Sequence, residues 1–257
     1  MPLRPYQHAF TLVELSIVLV VIGLIVGGVL VGKDLIHAAE IRATISQIEG
    51  YQSAVNTFRT KYRFLPGDLP NAASYGLTPA PEYAGSCKGD GELNEYFCSN
   101  TTAANASGEI AAFWTQLSVD THLINGAYIA ANPFVVGETI PILKIGGGVV
   151  ASRDGLGHNW YGTGVANIAG QTYTANPAAI SPPDAFLIDK KMDDGQPNTG
   201  SVRISMIYNG GGNNMVSTPN AAYPSNCAWD GSAVNTPAAV YRVQNDFVAC
   251  NLRFAFQ

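Results

Sequence analysis

The composition describes a chain with few charges. Its 257 residues are 47% hydrophobic and 13% charged, roughly half the charged share of an average soluble domain. This length accommodates one good-sized globular domain or two small ones. The formal net charge of -5 argues against nucleic acid as the natural partner, because a phosphate-binding protein needs a basic face.

The first feature in chain order is a long apolar segment. It runs from Phe10 to Gly32 and contains one charged residue, Glu14. As a helix it spans ~35 Å, enough to cross a hydrocarbon core of ~30 Å. It is longer than the core of an ordinary secretory signal peptide, and the small residue Ala9 precedes it instead of following it. The segment therefore predicts a membrane-spanning helix behind a short polar leader.

Glu14 needs a partner inside this segment. An acid in an apolar membrane helix costs ~2.5–3.5 kcal/mol on insertion scales. Cleavage between Ala9 and Phe10 would free an α-amine on Phe10, and such amines carry positive charge near neutral pH. We name this amine as the counter-ion of Glu14, in the same chain or in a neighbouring copy. The alternative is a plain signal anchor that is never cut, which leaves the carboxylate unexplained.

The residues from Ala9 to Leu15, followed by the apolar run, resemble the processing site of type IV prepilins and type II secretion pseudopilins. The resemblance implies a prepilin peptidase that cuts before Phe10 and methylates the new N-terminus. It implies that Phe10 and Glu14 act in assembly. It also implies a bacterial inner-membrane location, followed by a periplasmic or cell-surface filament. The chain departs from the family at Ala9, where Gly is usual, and in carrying no proline partway along the segment.

Four glycines are concentrated in the second half of the apolar segment. They allow close helix–helix approach, mark a place where the helix bends, or are merely tolerated, as glycine commonly is in membrane helices. The residues are Gly23, Gly27, Gly28 and Gly32.

The helical pattern continues beyond the apolar segment. Apolar residues recur at steps of three and four, with polar residues on the other faces, until the Pro66–Pro70 segment ends the pattern. We therefore predict one helix over residues 10–63, with an apolar first half and an amphipathic second half. The domain organisation follows as leader 1–9, helix 10–63 and globular head 64–257. The predicted stripe is Ala38, Ile41, Ile45, Ile48, Tyr51, Val55, Phe58 and Tyr62.

The head contains short signals typical of an α+β fold with an antiparallel sheet. Residues 109–124 predict a second helix, with Ser107 as N-cap, and Ser181 to Asp184 open a short helix at Ala185–Met192. Period-two alternation and apolar runs predict the strands. These are Thr139–Ile145, Val149–Ser152, Ser201–Tyr208, Ala239–Val243 and Leu252–Phe256.

The cysteines form two local groups. An even count in an exported chain favours disulfides, although buried thiols are the alternative, and four cysteines allow three pairings. We expect Cys87–Cys98 and Cys227–Cys250, because each pair closes a short local loop. The second loop also resembles the disulfide-bounded variable loop of many type IV pilins.

Candidate ligand sites are few. Asp189, Asp193 and Asp194 offer oxygen ligands for calcium beside a glycine turn, and the alternative is a solvated helix end. The histidines are scattered and suggest no catalytic grouping.

The sequence thus predicts a structural filament subunit that is not an enzyme and needs no cofactor, with calcium as the one candidate ion. Its partners would be other pilins, prepilin peptidase and the inner membrane. The alternatives are a minor pilin or secretion pseudopilin, and a membrane-anchored binding protein or adhesin that never polymerises.

Overall fold

The structure, a computed structural model, describes residues 11–80, 88–93, 109–131, 135–153, 158–165, 180–204, 227–229, 239–244 and 250–256. Among these residues the α-helices are α1, α2 and α3, and the strands are β1 to β6 in chain order. The helices span Leu12–Tyr62, Glu109–Thr115 and Pro182–Met192. The strands span Gly148–Arg153, Asn159–Val165, Val202–Ile204, Ala228–Trp229, Val240–Tyr241 and Leu252–Ala255.

Helix α1 begins and ends close to the predicted positions. Thr11 is its N-cap, and Arg63 at its C-terminus adopts a left-handed conformation with φ 71° while its N–H bonds back to the carbonyl of Arg59. The amphipathic half packs on the head through one stripe, as the spacing predicts. The buried residues of that stripe are Ile41, Thr44, Ile48, Tyr51, Ala54, Val55, Phe58 and Tyr62.

The head contains a four-stranded sheet in the order β1-β2-β6-β3, in which every neighbouring pair is antiparallel. A second sheet pairs β4 with β5. One face of the large sheet packs on α1 and α2 through an aromatic cluster around Tyr161, whose ring lies 6.1 Å from that of Tyr51 and 6.0 Å from that of Trp114. A long helix followed by an antiparallel sheet confirms the α+β class.

The predicted second helix is too long. Its α-helical part ends at Thr115 and continues as one π-helical turn, Gln116–Asp120, instead of reaching residue 124. The hydroxyls of Ser118 and Thr121 donate to helical carbonyls and so compete with the regular backbone ladder. The proposed N-cap Ser107 lies outside the described residues.

The predicted strand Thr139–Ile145 is wrong. This segment makes only isolated bridges, and its backbone bonds instead to side chains of α1: Lys144 and Ile145 donate to Gln47 and Thr44. An apolar run alone cannot distinguish pairing with a strand from pairing with helix side chains.

Sequence reasoning missed β2, although it occupies a central position in the sheet. Gly162 and Gly164 interrupt its apolar pattern and read as turn signals. Strand β4 was also missed. The other predicted strands correspond to β1, β3, β5 and β6, each differing at its ends, and residues 205–208 lie outside the described part.

Candidate processing and assembly site

The described chain begins next to the predicted cleavage junction. Ala9 and Phe10 lie outside the described residues, so the geometry starts at Thr11. Thr11 has extended backbone dihedrals, φ −79° and ψ 153°, and the helix proper begins at Leu12. The N-terminus of α1 therefore lies within two residues of the predicted junction.

Thr11 and Glu14 form a reciprocal capping box. The Thr11 hydroxyl accepts the N–H of Glu14 at 3.2 Å, and the Glu14 carboxylate accepts the N–H of Thr11 at 2.8 Å. The Thr11 hydroxyl also donates to the same carboxylate oxygen, Oε2, at 2.9 Å. Two N–H groups that a helix start leaves unpaired are thereby satisfied. The spacing that predicted a functional acid therefore also produces a helix cap, a role that sequence reasoning missed.

The capping box leaves much of the bonding capacity of Glu14 unused. A carboxylate offers about four lone-pair sites on two oxygens, and the two bonds from Thr11 both end on Oε2. In the part of the chain that the structure describes, no cationic group lies within ion-pair distance of Glu14. The site can therefore accept a cation.

The apolar segment of α1 is exposed on all sides. Its large side chains retain between 48% exposure at Val21 and 88% at Leu12, because the head begins to cover the helix only near Ile41. The helix is long and apolar enough to cross a membrane. A cylinder of exposed Leu, Ile and Val side chains requires lipid or protein around it. A Cβ added at Gly23, Gly27 or Gly28 would meet nothing within 4 Å in the single chain.

A family model for the prokaryotic N-terminal methylation motif matches residues 4–30. The chain carries a prepilin motif. The match includes the predicted cleavage junction, the capping box and most of the apolar segment, and this motif supports a type IV pilin-like or pseudopilin protein of the kind that prepilin peptidase processes. No curated protein and no solved structure matches the chain.

The head is attached to α1 by polar contacts as well as by the apolar stripe. Gln47 donates to the carbonyl of Ile142 at 2.7 Å, and Gln52 donates to the carbonyl of Ala255 on β6 at 3.2 Å. The helical pattern places both glutamines outside the predicted apolar stripe. Their partners lie 95 and 203 positions away, so no local pattern could have revealed them.

The calcium candidates lie together at the end of α3. One oxygen from each of Asp189, Asp193 and Asp194 falls within a 4.8 Å cluster. Each carboxylate also accepts hydrogen bonds that shape the loop, including one from the N–H of Gly195 to Asp189 and one from the N–H of Val202 to Asp193. The three acids therefore lie close together, and each of them also stabilises the loop through its hydrogen bonds.

Asp189 is fully buried within this group. Its carboxylate accepts the hydroxyl of Tyr241 at 2.8 Å, which joins α3 to β5. Burial raises the pKa of Asp189 to about 6, against the opposing effect of its hydrogen bonds from Tyr241 and Gly195. Asp68 is also fully buried, and burial raises its pKa to about 6 although two backbone N–H groups bond to it.

The head contains a disulfide between Cys227 and Cys250, the second of the two expected pairs. Cys227 directly precedes β4, and the backbone of Cys250 pairs with Ile180 just before α3. Because Cys250 also lies two residues before β6, the bond connects the small sheet to the start of that strand of the large sheet. Cys87 and Cys98 lie outside the described residues.

Proposed function

We propose that this chain is a structural, non-catalytic subunit of a type IV pilus-like filament, assembled through α1 after removal of the leader. The observation that carries the proposal is Glu14: it is the one acid in the apolar, exposed first half of α1, and it lies inside a matched prepilin motif. Such an acid is costly in lipid unless a cation accompanies it.

Processing supplies that cation. Removal of residues 1–9 creates an α-amine on Phe10, four residues before Glu14. The capping box orients the carboxylate and leaves Oε1 available for this amine. The amine belongs to the same chain or, in the filament, to a neighbouring copy. A subunit whose Glu14 lacks a counter-ion is therefore favoured to join the filament beside a copy that offers the amine of Phe10.

Packing of the α1 helices against one another supplies most of the energy that holds the filament together. Burying exposed apolar surface contributes about 25 cal/mol per Å² when the reference is water. In lipid this gain is largely absent, and close packing and polar pairing decide association instead. The ion pair then selects the register between helices, and the apolar side chains along α1 fill the filament core.

The experiment compares two substitutions of Glu14. Glu14→Gln retains an acceptor for the capping box, since glutamine serves at this position as well as glutamate does, but it removes the charge. Glu14→Ala removes both. We expect both variants to insert into the membrane and to be absent from filaments sheared from cells.

Thr11→Ser is the matched control, because serine maintains the cap and leaves the charge untouched. It should assemble like the unchanged protein. Sequencing of the mature chain should begin at methylated Phe10. Filaments containing Glu14→Gln at the normal amount would eliminate the charge-pairing proposal, and a mature chain beginning at Met1 would eliminate processing.

A minor pilin or secretion pseudopilin is a second candidate, favoured by the length of the region that follows α1, residues 64–257. The amount of this chain in sheared filaments distinguishes the two roles. A major subunit dominates that fraction, whereas a minor subunit is present in traces beside another pilin.

A further inference from the structure

Thr11 separates the α-helix from the backbone that precedes it. Its carbonyl accepts the first helical hydrogen bond, from the N–H of Leu15 at 3.2 Å. Its own N–H donates to the Glu14 carboxylate, and its φ of −79° and ψ of 153° are extended. Because a helical residue has a ψ of about −42°, the α-helix cannot continue through Thr11 while the capping box is intact.

No residue before Thr11 can replace it as the N-cap. The residue types that cap helices are Ser, Thr, Asp, Asn and, less often, Gly. None of them occurs among residues 1–10. This segment instead offers Pro5, of a type favoured in the first turn of a helix, and Ala9, of the type with the highest helix propensity. Without the cap at Thr11, nothing in the sequence stops α1 from beginning as early as Pro5.

An earlier helix start would change the bond that processing breaks. Hydrolysis adds water across the Ala9–Phe10 amide, leaving a carboxylate on Ala9 and the α-amine on Phe10. In a helix that included this bond, the carbonyl of Ala9 would accept the N–H of Val13. Backbone that is hydrogen-bonded in this way is cut less readily than backbone that is not. The peptidase would first have to unwind a helical turn to reach the carbonyl carbon.

We propose that Thr11 is a positioning residue for leader removal. Its capping box with Glu14 makes α1 begin at Leu12. The Ala9–Phe10 bond then stays outside the helix, where prepilin peptidase can bind it. This inference rests on the proposed processing of the chain and gives the Thr11–Glu14 pair a task before cleavage, when the amine that later pairs with Glu14 does not yet exist.

The value of kcat/KM for cleavage of the full-length chain by prepilin peptidase, measured in detergent micelles, tests the proposal. Mass spectrometry follows the loss of residues 1–9. Thr11→Val keeps the shape of the side chain but removes the hydroxyl that accepts the N–H of Glu14. We expect its kcat/KM to be about two- to thirtyfold lower, the factor by which the loss of an N-cap shifts the equilibrium at a helix boundary.

Thr11→Asn distinguishes capping from direct recognition of the threonine by the peptidase. Asparagine caps helices at least as well as threonine but has a different shape, so this variant should be cleaved like the unchanged chain. Ser16→Ala is the matched control. The Ser16 hydroxyl donates to the carbonyl of Val13 and takes no part in the cap, so its removal should leave kcat/KM unchanged.

The backbone ¹³C chemical shifts of Ala9, measured without peptidase, report the helix boundary directly. They should move towards helical values in Thr11→Val and not in Thr11→Asn. A slowly cleaved Thr11→Val with unchanged shifts would overturn the proposal, and so would slow cleavage of Thr11→Asn, which would show that the peptidase recognises the threonine itself.

The same assay separates this proposal from the proposed function. Equal kcat/KM for Thr11→Val and the unchanged chain would overturn the positioning role and leave the filament subunit intact. An unchanged chain that the peptidase does not cleave would remove both proposals.

Discussion

Replacing Tyr161 by phenylalanine should stabilise the head. The Tyr161 side chain is completely buried, and its hydroxyl has no hydrogen-bond partner among the residues that the structure describes. Its ring stacks on Phe256 with centroids 4.2 Å apart, and phenylalanine retains that contact. The substitution therefore removes an unsatisfied polar atom and leaves the aromatic packing unchanged.

The magnitude follows from the cost of burying an unpaired hydroxyl. Protein data place this cost at about 1–3 kcal/mol, and Tyr161→Phe should recover much of it. For a chain of this size, 1 kcal/mol corresponds to a shift of about 2–4 °C in Tm. Burial also raises the pKa of Tyr161 well above its ordinary value, so the hydroxyl remains protonated throughout the accessible pH range.

Tyr51→Phe is the matched control for this measurement. The Tyr51 hydroxyl accepts a hydrogen bond from Nε2 of Gln47 at 2.7 Å, so its removal should cost about 0.5–1.5 kcal/mol. Both variants are measured as full-length protein in micelles by thermal unfolding, followed by near-UV circular dichroism. The Tm should rise for Tyr161→Phe and fall for Tyr51→Phe. A fall in both would refute the reasoning, since it would show that the Tyr161 hydroxyl is satisfied.

Three further predictions concern the head. Because the folded-state pKa of Asp189 is raised to about 6, its stabilising contribution is complete below the unfolded pKa of about 4 and disappears as the pH rises through 6. The free energy of unfolding should therefore decrease from pH 4 to pH 7, by about 2–3 kcal/mol from this group, and Asp189→Asn should flatten that part of the curve; an unchanged curve would contradict the prediction. Replacing Cys227 and Cys250 together by serine should cost about 3 kcal/mol in urea unfolding measured without reductant, and an unchanged free energy of unfolding would contradict the prediction. Gly67→Ala should destabilise more than Gly76→Ala: both glycines have positive φ, but only at Gly67 would the added Cβ meet a backbone oxygen, at 2.1 Å, and equal losses would remove the steric explanation.

The N-terminal helix could be predicted from the sequence because it depends on residues that are close together in the chain. Helix α1 follows from a continuous periodic pattern, and its buried residues Ile41, Ile48 and Phe58 lie on the predicted stripe. The prepilin motif likewise depends on residues that are neighbours in the chain, from Ala9 to Glu14.

Sequence reasoning missed a second role of one residue and the strand that contains another. Glu14 was predicted to pair with the Phe10 amine, and the structure shows that it also forms a helix cap with Thr11. The motif S/T-x-x-E is visible in the sequence, so this role could have been found. Residue Gly162, by contrast, lies in a central strand that was not predicted, because the strands on either side supply the pairing that its local propensity does not.

The amino-acid sequence by itself determined the long helix, its apolar first half and the position of Glu14, the one acid in that half. Each of these depends on contacts or spacings of a few residues. Only the tertiary structure decided the order of the strands, the attachment of the head through Gln47 and Gln52, and the meeting of His37 with Asp184. These contacts join residues about 100 to 200 positions apart. In the helical pattern these polar side chains of α1 look alike, and only the folded chain shows which of them contact the head.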